Sequence, residues 1–188
     1  MATSKATRIG IWVIAAVMAV GTIGTYFALI LGNNNDAEQA SQQQKAYEDY
    51  LAQSKKQQEE RQKTLRPLDG YTAAPFDAAS VTALQSEVLV AGSGETLTNT
   101  SKIKANYFGW TSDGKIFDST NENGTVTPAE FSLDGVIKGW TDGLTGKTVG
   151  STVKLVIPAD QAYGSTDDGS GRPVGPLTFV VEIKEVVK

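Results

Sequence analysis

The chain holds no histidine and no cysteine. That excludes disulfides, thiolate zinc sites, iron–sulfur ligation, cysteine nucleophiles and Ser-His-Asp catalysis, and removes the usual proton shuttle near neutral pH. Any chemistry must run on carboxylates, hydroxyls, backbone groups, lysine or shape. Asp167-Asp168 is one acidic pair in a glycine-rich loop, and a calcium loop needs more oxygen ligands at fixed spacing. No metal and no cofactor are therefore expected. The chain's aromatic residues include Tyr107, Phe117, Trp140, Tyr163 and Phe179, and Asp118 stands next to Phe117. Taken one at a time, each has an ordinary reading. Trp140, Phe179, Phe117 and Tyr107 read as core. Val136 and Ile137 read as packing at a helix start. Asp118 beside Ser119 reads as a cap or turn residue, and Tyr163 in Ala-Tyr-Gly as an exposed loop aromatic.

These residues fall on recognisable elements. Ile103, Ala105 and Tyr107 alternate with Lys102, Lys104 and Asn106, and Val153 to Ile157 repeats the pattern. So does the run from Leu177, with Phe179, Val181 and Ile183 on one face. Period-two alternation predicts half-buried antiparallel strands. Asp113-Gly114 between Trp110 and Ile116 predicts a hairpin or bulge. Val136, Ile137, Trp140 and Leu144 lie at i, i+1, i+4 and i+8, one face of a short helix closed by Gly143 or Gly146. The expected fold is α+β: a twisted antiparallel β-sheet wrapped around one short α-helix.

The rest of the chain differs. Ile9 to Gly32 is 24 residues without a charge, enough for a bilayer-spanning helix and longer than the apolar region of a signal peptide. Lys5 and Arg8 precede it, and the first charges after it are acidic. The positive-inside bias then keeps residues 1–8 in the cytoplasm and everything after the span outside. Residues 33–66 are polar, with eight glutamines and no Gly or Pro, and predict a helical stalk. A heptad through Gln44, Tyr47, Leu51, Ser54, Gln58, Arg61 and Leu65 is apolar at only three of seven positions, so no coiled coil is expected. Pro67, Gly70 and Pro75 open a linker over 67–84, and the folded module occupies 85–188. The formal net charge of −4 argues against a general nucleic-acid binder.

The ordered set of fragments Tyr107-Phe108-Gly109, Asp113 to Ser119, Phe131-Ser132-Leu133, Val136 to Trp140, Gly143-Leu144, Val149-Gly150, Ile157-Pro158, Ala162-Tyr163-Gly164 and Leu177 to Glu182 resembles the FK506-binding (FKBP) type of peptidyl-prolyl cis–trans isomerase. The resemblance covers roughly residues 85–188. It implies an FKBP-like fold and catalysed rotation about X–Pro bonds. It also implies site roles: Trp140 as floor under the proline ring, Tyr107, Phe117 and Phe179 as walls, and Val136 at the rim. Ile137 would offer its backbone N–H, and Tyr163 its hydroxyl, to substrate carbonyls. Asp118 would be a polar group at the pocket edge. The reaction breaks no covalent bond, so a chain without His or Cys loses nothing.

Two departures stand out. Ala129 occupies a wall position that is aromatic in the best-known members, and Gly171, with Asp167 or Asp168 nearby, replaces apolar and histidine positions in the loop before the last strand. A more open, more acidic pocket follows, and weak binding of FK506- or rapamycin-type macrolides. The expected protein is a single-pass, bacterial membrane-anchored isomerase acting on proline-containing, folding polypeptides outside the cytoplasm. Its competitors are a non-catalytic proline-binding or chaperone module on the same fold, and an envelope scaffold.

Overall fold

A computed structural model describes residues 37–187. The expected span over residues 9–32 lies outside them. No helix among the described residues is long and apolar enough to cross a membrane.

The described residues divide into two compact units, residues 37–63 with 168–172, and residues 64–167 with 173–187. The first contributes helix α1 (Ala37–Thr64), whose 28 residues make a rod of about 42 Å. Its composition explains it: Gln, Glu, Lys and Ala are strong helix formers. None of its side chains from Gln44 to Gln57 is buried, as expected of a helix polar all round. It lies within the predicted stalk, of which residues 33–36 fall outside the described residues. The chain leaves the helix at Leu65, which forms an isolated antiparallel bridge with Glu122.

The second unit is built on eight strands: β1 (Gln85–Val90), β2 (Lys102–Thr111), β3 (Ile116–Ser119), β4 (Asn121–Glu122), β5 (Thr125–Val126), β6 (Ala129–Ser132), β7 (Thr152–Ile157) and β8 (Leu177–Val186). The main sheet runs β1-β7-β8-β2-β3, with β6 paired to the other end of β2, and every pairing is antiparallel. The Asp113-Gly114 signal is a tight turn: Gly114 has φ +82°, and the Asp113 carboxylate accepts from the Thr111 hydroxyl and the Lys115 N–H. Asn123 and Gly124, at φ 52° and 85°, make the two-residue turn between β4 and β5, a conformation Asn-Gly adopts readily.

Helix α2 (Lys138–Leu144) lies on the inner face of the sheet. It is shorter than the apolar spacing predicted. Val136 precedes it, Ile137 is its N-cap, and Gly143 falls inside it. The internal glycines have a packing reason. A Cβ on Gly139 would sit 2.3 Å from Ile157 Cγ2, and one on Gly143 would sit 2.6 Å from Leu155 Cδ2. Absent Cβ atoms let this helix approach β7 closely. Gly146, at φ +81°, then turns the chain away.

Residues 67–84, read from the sequence as a linker, form in part a strap across the outer face of the sheet. Leu68 is 2 % exposed, and it forms a second core with Phe108, Trp110 and Val180, against which Tyr71, Ala73, Phe76 and Ile116 pack. The Trp110 indole N–H donates to Ala74 O at 2.9 Å. Proline and glycine in this stretch signal an irregular path, which is not the same as an unpacked one.

Candidate functional site

Strand alternation on β2 and β8 sends Tyr107 and Phe179 to the inner face, while Phe108 and Val180 go to the outer core. Helix α2 delivers Trp140 to the same inner face. The three aromatics meet edge-on: Tyr107 and Trp140 have ring centroids 5.3 Å apart, Trp140 and Phe179 5.4 Å. Phe117, from β3, meets Phe179 at 5.6 Å. T-shaped contacts at these distances are the favoured arrangement of aromatic quadrupoles. Trp140 is 3 % exposed, and its indole N–H has no hydrogen-bond partner among the described residues.

Burial falls away from that floor. Phe117, Val136, Ile137 and Ala129 are half-buried and pack against the same cluster. Tyr163 is 37 % exposed and follows Ala162, which also packs there. Seven of the nine sequence-nominated residues (Tyr107, Phe117, Trp140, Phe179, Val136, Ile137 and Ala129) thus belong to one apolar assembly. An eighth, Asp118, joins through a hydrogen bond: its Oδ2 accepts from the Tyr107 hydroxyl. Its Oδ1 accepts from the Ser119 backbone N–H at 3.0 Å. The turn-like bond and the bond to a wall residue therefore coexist on one carboxylate. Ile137 brings a backbone donor. Its carbonyl accepts from the Trp140 and Thr141 N–H groups, while its own N–H meets no acceptor among the described residues.

Three features carry roles that the sequence reading did not assign. Phe131, on β6, contacts both Tyr107 (5.4 Å) and Trp140 (5.3 Å). Period two places it on the same face as Ala129, which was the available signal. Gly109 allows the wall to close, because a Cβ there would lie 2.5 Å from Phe179 Cε1 and 2.9 Å from Phe117 Cζ. A glycine inside a strand is the usual mark of such an approach. Thr120, 8 % exposed, holds Tyr107 from behind. Its Oγ1 accepts from Tyr107 N at 2.9 Å and donates to Tyr107 O at 3.1 Å.

The loop before β8 is closed at its base by Gly175 N donating to Gly164 O at 2.9 Å. Asp168, expected as an acidic group, is paired within its own turn. The Ser170 side chain and N–H, then Arg172, hold its carboxyl well below the usual carboxylate range. Among the described residues no cluster of carboxylates could hold a metal ion.

Residues 93–184 match the family described as FKBP-type peptidyl-prolyl cis-trans isomerase. The chain is 41% identical over 107 residues to the FKBP-type peptidyl-prolyl cis-trans isomerase FkpA of Escherichia coli strain K12, covering 57% of this chain and 39% of that protein. It is 39% identical over 105 residues to the FKBP-type 22 kDa isomerase of the same organism, covering 55% and 50%. With the outer membrane protein MIP of Legionella longbeachae it shares 33% identity over 138 residues, covering 72% and 58%. The chain spans about half the length of these relatives.

Proposed function

Since residues 93–184 belong to the family of FKBP-type peptidyl-prolyl cis-trans isomerases, we propose that this protein interconverts cis and trans X–Pro bonds in proline-containing polypeptides, using the aromatic assembly around Trp140. The observation that carries the reading is the joint arrangement of a buried indole floor, aromatic neighbours in edge contact and an acceptor-less Ile137 N–H.

Rotation about an X–Pro bond faces a barrier of about 18–20 kcal/mol. The barrier is the loss of amide resonance. In the twisted state the carbonyl oxygen carries less negative charge, and the imide is less dipolar than in either planar form. Relative to water, a dry aromatic surface favours that state over the planar ones, which is differential binding of the transition state. Lowering the barrier by about 7 kcal/mol gives an acceleration of roughly 10⁵-fold. In this mechanism Trp140 supports the prolyl ring, and Tyr107, Phe117 and Phe179 confine it, with Val136 at the rim. The Ile137 N–H donates to a substrate carbonyl, and Tyr163 offers its hydroxyl to another. Asp118 transfers no proton; it holds the Tyr107 hydroxyl and fixes that wall. Ala129 presents no ring beside Phe131, so macrolides of the FK506 and rapamycin type bind more weakly than at a fully aromatic site.

The test is isomerisation of a proline peptide by the full-length protein. Measurable catalysis is expected, with Trp140→Ala lowering kcat/KM at least about tenfold, equivalent to about 1.4 kcal/mol. Inhibition by a macrolide should require more than nanomolar concentrations. A wild-type protein that binds proline peptides without accelerating their isomerisation would leave only the non-catalytic module.

The uncharged run over residues 9–32, flanked by Lys5 and Arg8, supports a bacterial membrane anchor with the isomerase module outside the cytoplasm. Deleting residues 1–36 should move the protein from the membrane fraction to the soluble one. Retention in the membrane fraction after that deletion would refute the anchor.

A further inference from the structure

The chain just after helix α1 is tied to the strand that carries Asp118. Ser119, 3 % exposed, donates from Oγ to Arg66 O at 2.7 Å and accepts from Asn121 N at 2.9 Å. Asn121, 4 % exposed, donates from Nδ2 to Pro67 O at 2.8 Å. Arg66 N donates to Asn121 O at 3.0 Å, and Asn123 N to Thr64 O at 2.9 Å. Thr64 to Pro67 is thus bound to residues 119–123 from both sides. Directly before them stands Asp118, whose carboxylate is shared between the Ser119 N–H and the Tyr107 hydroxyl. Directly after Ser119, Thr120 clasps the Tyr107 backbone. Residues 64–67 lie well before the family-matched segment, which begins at 93.

From this we infer that Ser119 is a positioning residue for the isomerase site, and that the Arg66–Pro67 backbone, a part of the chain outside the family-matched segment, serves as its anchor. The inference rests on the isomerase reading above. The physical argument is geometric. The same buried hydroxyl also reaches Tyr107 O at 3.3 Å, and a buried hydroxyl bonded to several backbone groups fixes its own main chain, because removing it takes a partner from each of them. Fixing Ser119 fixes the N–H that orients Asp118, and Asp118 orients the Tyr107 ring edge-on to Trp140. A small displacement of that wall costs rate, since the walls hold the prolyl ring against the dry surface that favours the twisted state. Leu68, by contrast, packs only in the outer core, so it supports the strap without touching this relay.

The experiment uses the full-length protein and three variants: Ser119→Ala, Ser119→Thr and Leu68→Ala. Ser119→Ala should lower kcat for proline-peptide isomerisation by about tenfold with little change in KM. Ser119→Thr, which keeps the hydroxyl, should recover most of that loss. Leu68→Ala should lower Tm and leave kcat and KM as in the wild type. Wild-type kinetics in Ser119→Ala would overturn the inference. So would an equal loss of kcat in Leu68→Ala, which would make the strap a general support. Should Ser119→Ala fail to fold, Asn121→Ala releases Pro67 alone: a drop in kcat supports the relay, and an unchanged kcat refutes it. A wild type without isomerase activity fails the functional reading instead, an outcome distinct from an active wild type with unaffected variants.

Discussion

Gly109 shows how a residue without a side chain shapes this site. The rings of Phe179 and Phe117 occupy the space its Cβ would take, at 2.5 and 2.9 Å from that position. Gly109→Ala must push one ring off its rotamer or move β2, an overpacking cost of about 1–3 kcal/mol. Because both rings are pocket walls in the proposed mechanism, kcat/KM should fall by more than stability alone explains. Comparing the variant's kinetics well below its melting temperature checks this, and unchanged kinetics would mean the walls have slack. The same scale explains why Asp118 was hard to read. Its bond to the adjacent Ser119 N–H makes it a turn residue, and its bond to Tyr107, eleven positions away, joins it to the candidate site. Only the second bond is invisible to local pattern.

At the scale of elements, one packing event positions the assembly and a second stabilises the module around it. Helix α2 approaches β7 through Gly139 and Gly143, which sets Trp140 deep in the aromatic cluster. The strap from Leu65 to Phe76 covers the outer face of β2 and β8, the two strands whose inner faces present Tyr107 and Phe179. Burial of Leu68 among Phe108, Trp110 and Val180 gives the Leu68→Ala variant an expected stability loss of about 2–5 kcal/mol, read as a lower Tm or denaturation midpoint. The strap is therefore structural for the module as well as an anchor for Ser119. Helix α1 follows other rules: with no buried side chain from Gln44 to Gln57, its helicity rests on residue propensity and on surface pairs such as Lys63–Glu60 at 2.6 Å, which contribute little each.

For the whole molecule, the chain is acidic, and several carboxylates depend on staying charged. The Thr111 hydroxyl and the Lys115 N–H pull the Asp113 carboxyl below its usual range. Burial works against the charged form of Glu182, but Lys184 and Asn106 outweigh it and leave that group lowered too. Asp168 is lowered by Ser170 and Arg172. A carboxylate with a depressed folded-state pKa stabilises the fold above its unfolded value of about 4 and loses that contribution as pH falls through the folded value. Melting temperature should therefore be flat around neutrality and decline below about pH 4. Asp113→Asn should flatten part of that decline; an unaltered acid limb would show that the Thr111–Asp113–Lys115 turn contributes nothing to it. At the basic end, Glu185 raises the Lys104 ammonium through a hydrogen bond and its charge. That contribution persists at neutral pH and disappears only as pH rises beyond the ordinary lysine range.

Much of this protein is written in local order along the chain. The alternation at Ile103–Tyr107, Val153–Ile157 and Leu177–Ile183 dictates strands and their buried faces, because side-chain direction in a strand has period two. The Asp113-Gly114 turn follows from glycine's tolerance of positive φ, and helix α1 from composition. The aromatic residues of the candidate site stand in the sequence as an ordered set, and the structure gathers Tyr107, Phe117, Trp140 and Phe179 into one cluster. What the chain order does not contain is proximity between distant residues. The edge contacts of Phe131 with Tyr107 and Trp140, the space that Gly109 vacates, the strap made of a Pro- and Gly-punctuated stretch, and the tie from Ser119 back to Arg66 all join residues far apart in sequence. Such contacts exist only once the sheet has closed, since packing and hydrogen bonding act through space, and a one-dimensional pattern records distance along the chain alone.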